Sequence, residues 1–211
     1  MGDAVTWYKV GSPLFTRSGP PLLRELHDRG KRIFLDLKFH DIPSTVEHAV
    51  SAAAEQGVAL LTVHASGGAE MMQAARRAAG DDGPRVLGVT ILTSFTAASV
   101  EEVWDKRLRS VRDEVERLAG LAAGAGLHGV VCSPLEAETM KRRHGPAFLV
   151  VTPGIRPSGD ALGDQARTAT PAQAAHAGSD FLVIGRPVWQ APDPRAAIAG
   201  IEREISVAGA V

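Results

Sequence analysis

Seven short apolar runs recur along the chain, at 5–10, 32–37, 59–64, 85–92, 129–133, 148–154 and 181–185. Each is rich in Val, Ile, Leu or Phe and lacks a clean alternation of polar and apolar positions, the pattern of a strand buried on both faces of a parallel sheet. Amphipathic stretches fill the intervals. "PPLLRELHDRG" (20–30) ends in Gly30, and "PSTVEHAVSAAAEQG" (43–57) begins with Pro43 and closes on Gly57, the asymmetry of a helix opened by proline and capped by glycine. Further helices are predicted over 69–80, 110–126, 135–145, 171–178 and 193–205. The order βαβαβα implies an α/β fold with a parallel sheet. Seven strand–helix units are one short of a (β/α)8 barrel, whose strand number, tilt and shear are linked. The expectation is therefore an open sheet, or a (β/α)8 TIM barrel lacking its first β/α unit in this chain.

Composition narrows the class. At 211 residues, 45% hydrophobic and 22% charged, the chain suits one globular domain over 1–211 rather than a disordered segment. A formal net charge of -1 supplies no basic field for nucleic acid and no polybasic patch for a membrane surface. A single cysteine, Cys132, leaves no internal disulfide and reads as a small core residue in a reducing compartment. No apolar run approaches the roughly 18 residues a membrane span needs, so the cytoplasm is the expected location.

Charge enters where the second run ends. "RIFLDLKFHDIPSTV" (32–46) sets Asp36, Lys38, His40 and Asp41 directly before a helix start. Alternation places Asp36 and Lys38 on one side of the strand, and Lys9, ending the preceding strand, can lie beside Asp36. Lys9, Asp36, Lys38 and Asp41 would then form an alternating array at the C-terminal edge of the sheet, where α/β barrels carry their active sites. A structural ion-pair network is the competing reading, but buried ions stabilise little compared with apolar packing. Flanking carboxylates favour the ammonium form of Lys38, suited to donating a proton rather than to forming a Schiff base.

Two later stretches suit phosphate. "VTPGIRP" (151–157) and "VIGRPV" (183–188) offer Arg156 and Arg186 as forked donors and Gly185 for close backbone approach, on the final loops where barrels bind phosphate. Either one alone could be a surface arginine after a turn. Thr93 and Ser94 in "VTILTSF" (89–95) read as a plain Ser/Thr turn, and His64 in "TVHASGG" (62–68) as a hydrogen-bonded structural residue.

"FLDLKFHDIPSTV" resembles the D-x-K-x-x-D-I-P-x-T motif of the orotidine 5′-phosphate decarboxylase family, and "YKVGSPLF", "TVHASGG", "VTILTS", "TPGIRP", "GDQAR" and "VIGRPV" continue the likeness in order along nearly the whole chain. The resemblance implies a homodimeric (β/α)8 barrel that converts orotidine 5′-monophosphate to UMP and CO2 without metal or organic cofactor. Lys38 would protonate C6 of the pyrimidine, within a charged array of Lys9, Asp36, Lys38 and Asp41. The whole stretch Asp36, Leu37, Lys38, Phe39, His40, Asp41, Ile42, Pro43, Ser44 and Thr45 would line the substrate, with Asp41 and Thr45 reaching the partner's site. Thr93 or Ser94 would face the pyrimidine, Gln165 would bridge base and phosphate, and Arg156, Gly185 and Arg186 would hold the phosphate. The resemblance also implies a further strand before this sequence, carrying a ribose-contacting Asp. Keto-gulonate-phosphate decarboxylases and hexulose-phosphate synthases share the D-x-K-x-x-D core and use a metal. A metal-dependent sugar-phosphate enzyme is therefore one alternative, and a catalytically impaired nucleotide-binding protein another.

Overall fold

Strands that pair within one body of this protein are neighbours in sequence, and each such pairing is parallel. The computed structural model describes residues 1–157 and 167–208, with side chains as far as Ser206. Its contacts divide into two bodies: Gly2–Val89 with Leu118–Gly129, and Thr90–Arg117 with the chain from Val130 onward.

The first body holds β1 (Trp7–Gly11), α1 (Ser12–Asp28), β2 (Arg32–Phe39), α2 (Pro43–Glu55), β3 (Leu60–His64), α3 (Gly68–Ala79) and β4 (Arg85–Val89). β2 buries Ile33, Phe34 and Leu35 in succession, and β3 buries Leu60, Leu61, Thr62 and Val63, as strands covered on both faces must. α2 opens on Pro43 and buries Val46, Val50 and Ala53, one stripe at helical spacing. Gly88 lies in β4 because a Cβ there would meet Ala122 Cβ at 3.0 Å and Leu127 Cδ1 at 3.3 Å. α1 starts at Ser12, eight residues before the stretch predicted from sequence, and breaks at Gly19 (φ 56°, ψ -158°) ahead of Pro20 and Pro21. The prolines cannot donate to the preceding turn, so the two helical pieces meet at a kink.

The second body holds α4 (Ala97–Trp104), β5 (Gly129–Val131, from Val130 on), α6 (Ala137–His144), β6 (Leu149–Thr152), α7 (Pro171–His176), β7 (Phe181–Leu182), α8 (Arg186–Trp189) and α9 (Pro194–Ala208). α5 (Val111–Gly124) divides between the bodies after Arg117. α4 and α8 were not anticipated, although Thr96 caps α4 in a reciprocal box with Ser99. Asp180 joins β6 to β7: its carboxylate accepts from Val150 N–H at 2.6 Å and pairs with Lys141 Nζ at 2.7 Å. Cys132 is buried, and desolvation pushes its thiol up, so it is an inert core group. Among the described residues no helix is long and apolar enough to cross a membrane.

Candidate active site

β1 and β2 run in register, Gly11 opposite Asp36 and Lys9 opposite Phe34. This brings the Lys9 ammonium to 3.1 Å from Asp36 Oδ2. Lys38 Nζ lies 2.8 Å from the other carboxylate oxygen, Oδ1. Asp36 is 9% exposed, whereas the two lysine side chains keep about a third of their surface in solvent. Burial alone would raise the Asp36 carboxyl, but the Lys9 charge and the Lys38 hydrogen bond and charge outweigh it and hold the group below the usual carboxylate range. Asp36 is thus an anion fixed between two cations.

The route by which Lys38 reaches Asp36 is not simple alternation. The β2–β3 ladder pairs Leu35 with Leu61 and then Phe39 with Val63, so Asp36, Leu37 and Lys38 oppose Thr62 alone. The slack is taken up at Lys38, whose φ is 53°, in the left-handed region that L-residues other than Asn and Asp seldom enter. Thr62, fully buried, fills the gap: its Oγ1 accepts from the Lys38 N–H at 2.9 Å and donates to Asp36 Oδ1 at 3.0 Å. Sequence reasoning missed Thr62, and the only local signal was a polar residue inside the apolar run "ALLTVH".

His64, at the end of β3, is partly buried, and its ring centroid lies 5.3 Å from that of His40. Burial first, then the neighbouring His40 and Lys38, push His64 below the ordinary histidine value, against a smaller pull from Asp36. Asp41 stands apart from the array expected from sequence. It is exposed, its Oδ1 accepts from the Ile42 N–H at 2.7 Å, and among the described residues it makes no ion pair with Lys9 or Lys38. Ile42, Pro43, Ser44 and Thr45 are exposed as well, Ile42 at 64%. Leu37 and Phe39 are half-buried and His40 is exposed.

In the second body, Thr93 and Ser94 form the turn expected from sequence, closed by Phe95 N–H donating to Leu92 O at 2.9 Å, with Thr93 buried and Ser94 exposed. Arg156 is half-buried, its backbone N–H donates to Ala169 O at 3.0 Å, and its Nη1 donates to Ile155 O at 2.8 Å. Gly185 caps α8 and Arg186, half-buried, is the first residue of that helix. Gln165 lies outside the described residues.

A second buried charge pair was also missed. Arg167 Nη1 meets Glu136 Oε1 at 2.6 Å, and its Nη2 donates to Ile91 O and Leu92 O at 3.3 and 3.4 Å, directly before the Thr93–Ser94 turn. Glu136 Oε2 accepts from Ser133 N–H at 2.9 Å. Burial raises the Glu136 carboxyl in spite of Arg167. Among the described residues no three His, Cys, Asp or Glu side chains converge as metal ligands would.

The family model described as Orotidine 5′-phosphate decarboxylase / HUMPS family matches residues 1–201. The chain belongs to this family. It is 53% identical over 203 residues to orotidine 5′-phosphate decarboxylase of Halorhodospira halophila, covering 95% of this chain and 85% of that protein. It is 51% identical to the enzyme of that name from Sodalis glossinidius, covering 96% of this chain and 81% of the relative. The crystal structure of orotidine 5′-phosphate decarboxylase from Lactobacillus acidophilus superposes with a TM-score of 0.82 at 39% identity, over 93% of this chain and 85% of that one. The α/β class expected from sequence holds, and the described strands and helices amount to seven β/α units of the (β/α)8 plan.

Proposed function

We infer that this protein decarboxylates orotidine 5′-monophosphate to UMP and CO2, the closing step of de novo pyrimidine nucleotide synthesis, as a cofactor-independent carboxy-lyase. The observation that carries this reading is the ammonium–carboxylate–ammonium array of Lys9, Asp36 and Lys38, in a chain 53% identical to a decarboxylase of that name. Breaking the bond between C6 and its carboxylate leaves an electron pair on C6 with little resonance relief. A fixed cation where that charge develops is the most direct stabiliser. Lys38 supplies it and passes a proton from Nζ to C6, and the neutral amine regains a proton from water. Asp36 holds Lys38 in position, and its charge opposes the substrate carboxylate until CO2 leaves.

The remaining roles follow the family motif. Thr93 or Ser94 faces the pyrimidine, Gln165 joins base and phosphate, and Arg156, Gly185 and Arg186 hold the phosphate, all within a single catalytic domain over 1–211. Asp41 and Thr45 serve the site of a second subunit in a cytoplasmic homodimer. The exposure of Asp41, Ile42 and Thr45 and the separation of Asp41 from both lysines support that assignment.

The test is turnover of orotidine 5′-monophosphate by the purified chain, followed by the absorbance change on conversion to UMP, with and without EDTA. Turnover indifferent to EDTA is expected. Calorimetric binding of UMP without turnover would instead indicate a nucleotide-binding protein. EDTA-sensitive decarboxylation of a keto-sugar phosphate would indicate the metal-dependent branch. Mixing Lys38→Ala and Asp41→Ala chains, each inactive alone, is expected to restore activity through hybrid dimers.

A further inference from the structure

We propose that Thr62 is a positioning residue for the reaction: its hydroxyl locks the strained Lys38 backbone and the Asp36 carboxylate into one rigid unit, so that the Lys38 ammonium is aimed before substrate arrives. Three residues of β2, Asp36 to Lys38, face a single residue of β3. A bulge of this kind bends the strand and re-aims a side chain, but leaves ladder groups without their regular partners. One of them is the Lys38 N–H, and Thr62 Oγ1 accepts it at 2.9 Å. The same hydroxyl donates a hydrogen bond to Asp36 Oδ1 at 3.0 Å, the oxygen that also accepts from Lys38 Nζ at 2.8 Å.

Main chain and side chain of Lys38 are therefore tied to one another through a single hydroxyl and a single carboxylate. The orientation of the hydroxyl is settled by its partners, because the carboxylate accepts and the N–H donates. Thr62 has no exposed surface and stands between Leu61 and Val63, where an apolar residue would satisfy the strand equally well. A hydroxyl there is tolerated because both of its hydrogen-bonding functions are met. A left-handed φ at a lysine persists only where surroundings over-determine it, and the Thr62 bond is the contact that does so. Valine at 62 would keep the branched shape and remove only the bridge. Serine would keep the bridge and remove a methyl group.

Kinetics and a substrate-free measurement together test the proposal. In orotidine 5′-monophosphate turnover, Thr62→Val is expected to lower kcat by about ten- to a hundredfold with KM changed less than about threefold, the loss of a bond to a charged group that acts on the reacting centre. Thr62→Ser is expected to recover kcat to within about threefold of the parent. In carboxyl-carbon NMR titrations without ligand, the Asp36 midpoint should rise in Thr62→Val, because the anion loses a donor, and stay in place in Thr62→Ser. A Thr62→Val chain with near-parental kcat overturns the proposal. So does a Thr62→Ser chain as impaired as Thr62→Val, which would make packing rather than the hydroxyl responsible. The kinetic arm rests on the decarboxylase reading. If the parent shows no turnover, that reading fails, and the Asp36 midpoints in the folded Val and Ser chains decide the role of Thr62 independently.

Discussion

Lys38→Gly and Lys38→Ala, compared with one another, isolate the backbone strain at the centre of the site. Both variants remove the ammonium and its 2.8 Å pair with Asp36, so the electrostatic loss cancels between them. What remains is the φ of 53° at position 38. An alanine held in the left-handed region costs about 1–2 kcal/mol relative to a relaxed backbone, a cost glycine does not carry. Against this, glycine loses about 0.5–1 kcal/mol more in chain entropy on folding. The glycine variant should therefore be the more stable by about 0.5–1 kcal/mol, roughly 1–4 °C in Tm for a chain of this size. At an ordinary strand position the order would be reversed. Urea unfolding followed by circular dichroism reads the difference as a shift in midpoint at constant slope. Decarboxylation should fall by about 10⁴-fold or more in both, since each loses the proton donor and the fixed cation. An alanine variant as stable as the glycine variant would refute the argument that Lys38 is held under strain.

Arg186→Ala should lower kcat/KM for orotidine 5′-monophosphate by at least about a hundredfold, about 3 kcal/mol for a charged contact, and unchanged kcat/KM would remove Arg186 from the phosphate site. Arg167→Met should destabilise the fold by about 3–5 kcal/mol in chemical denaturation, because it leaves the buried Glu136 carboxylate without its cation; a loss below about 1 kcal/mol would contradict that role. His64, His128 and His144 are all held below the ordinary value of 6.5, chiefly by burial. At these three sites the folded protein binds fewer protons than the unfolded chain below pH 6.5, so stability they leave intact above pH 6.5 is lost as pH falls through the folded values. Glu136, raised, acts in the opposite sense above 4.5, so the comparison of His64→Gln with the parent isolates the histidine contribution. The variant should lose less stability than the parent between about pH 7.5 and about 5.5 in urea titrations, and an equal loss in both would count against a His64 held below its ordinary value.

Legibility of the site from sequence followed the range of the interactions. The pair Lys9–Asp36 was within reach because adjacent parallel strands, each named by its apolar run, bring their C-terminal ends side by side. Lys38 was named correctly for proximity to Asp36, but through a regular alternation that the strand does not follow. Asp41 was expected in the array from its place in the loop before α2; within its own chain its carboxylate turns to the Ile42 N–H, which is compatible with its expected place in a partner's site. α8 is a single turn after a two-residue strand, too short to show periodicity. Glu136 and Arg167, thirty-one residues apart, carried no local sign that they would be buried against each other.

The sequence by itself determined the α/β class, the seven strand–helix units, the family and the identity of the charged residues, because periodicity, capping residues and motif spacing are properties of neighbours along the chain. Tertiary structure alone decided the slip between β2 and β3, the left-handed turn at Lys38 and the placing of Thr62 beneath it. Those features arise where two strands joined through a helix must share a ladder with unequal numbers of residues, and the unpaired N–H that results has to be satisfied by whatever side chain the neighbouring strand presents.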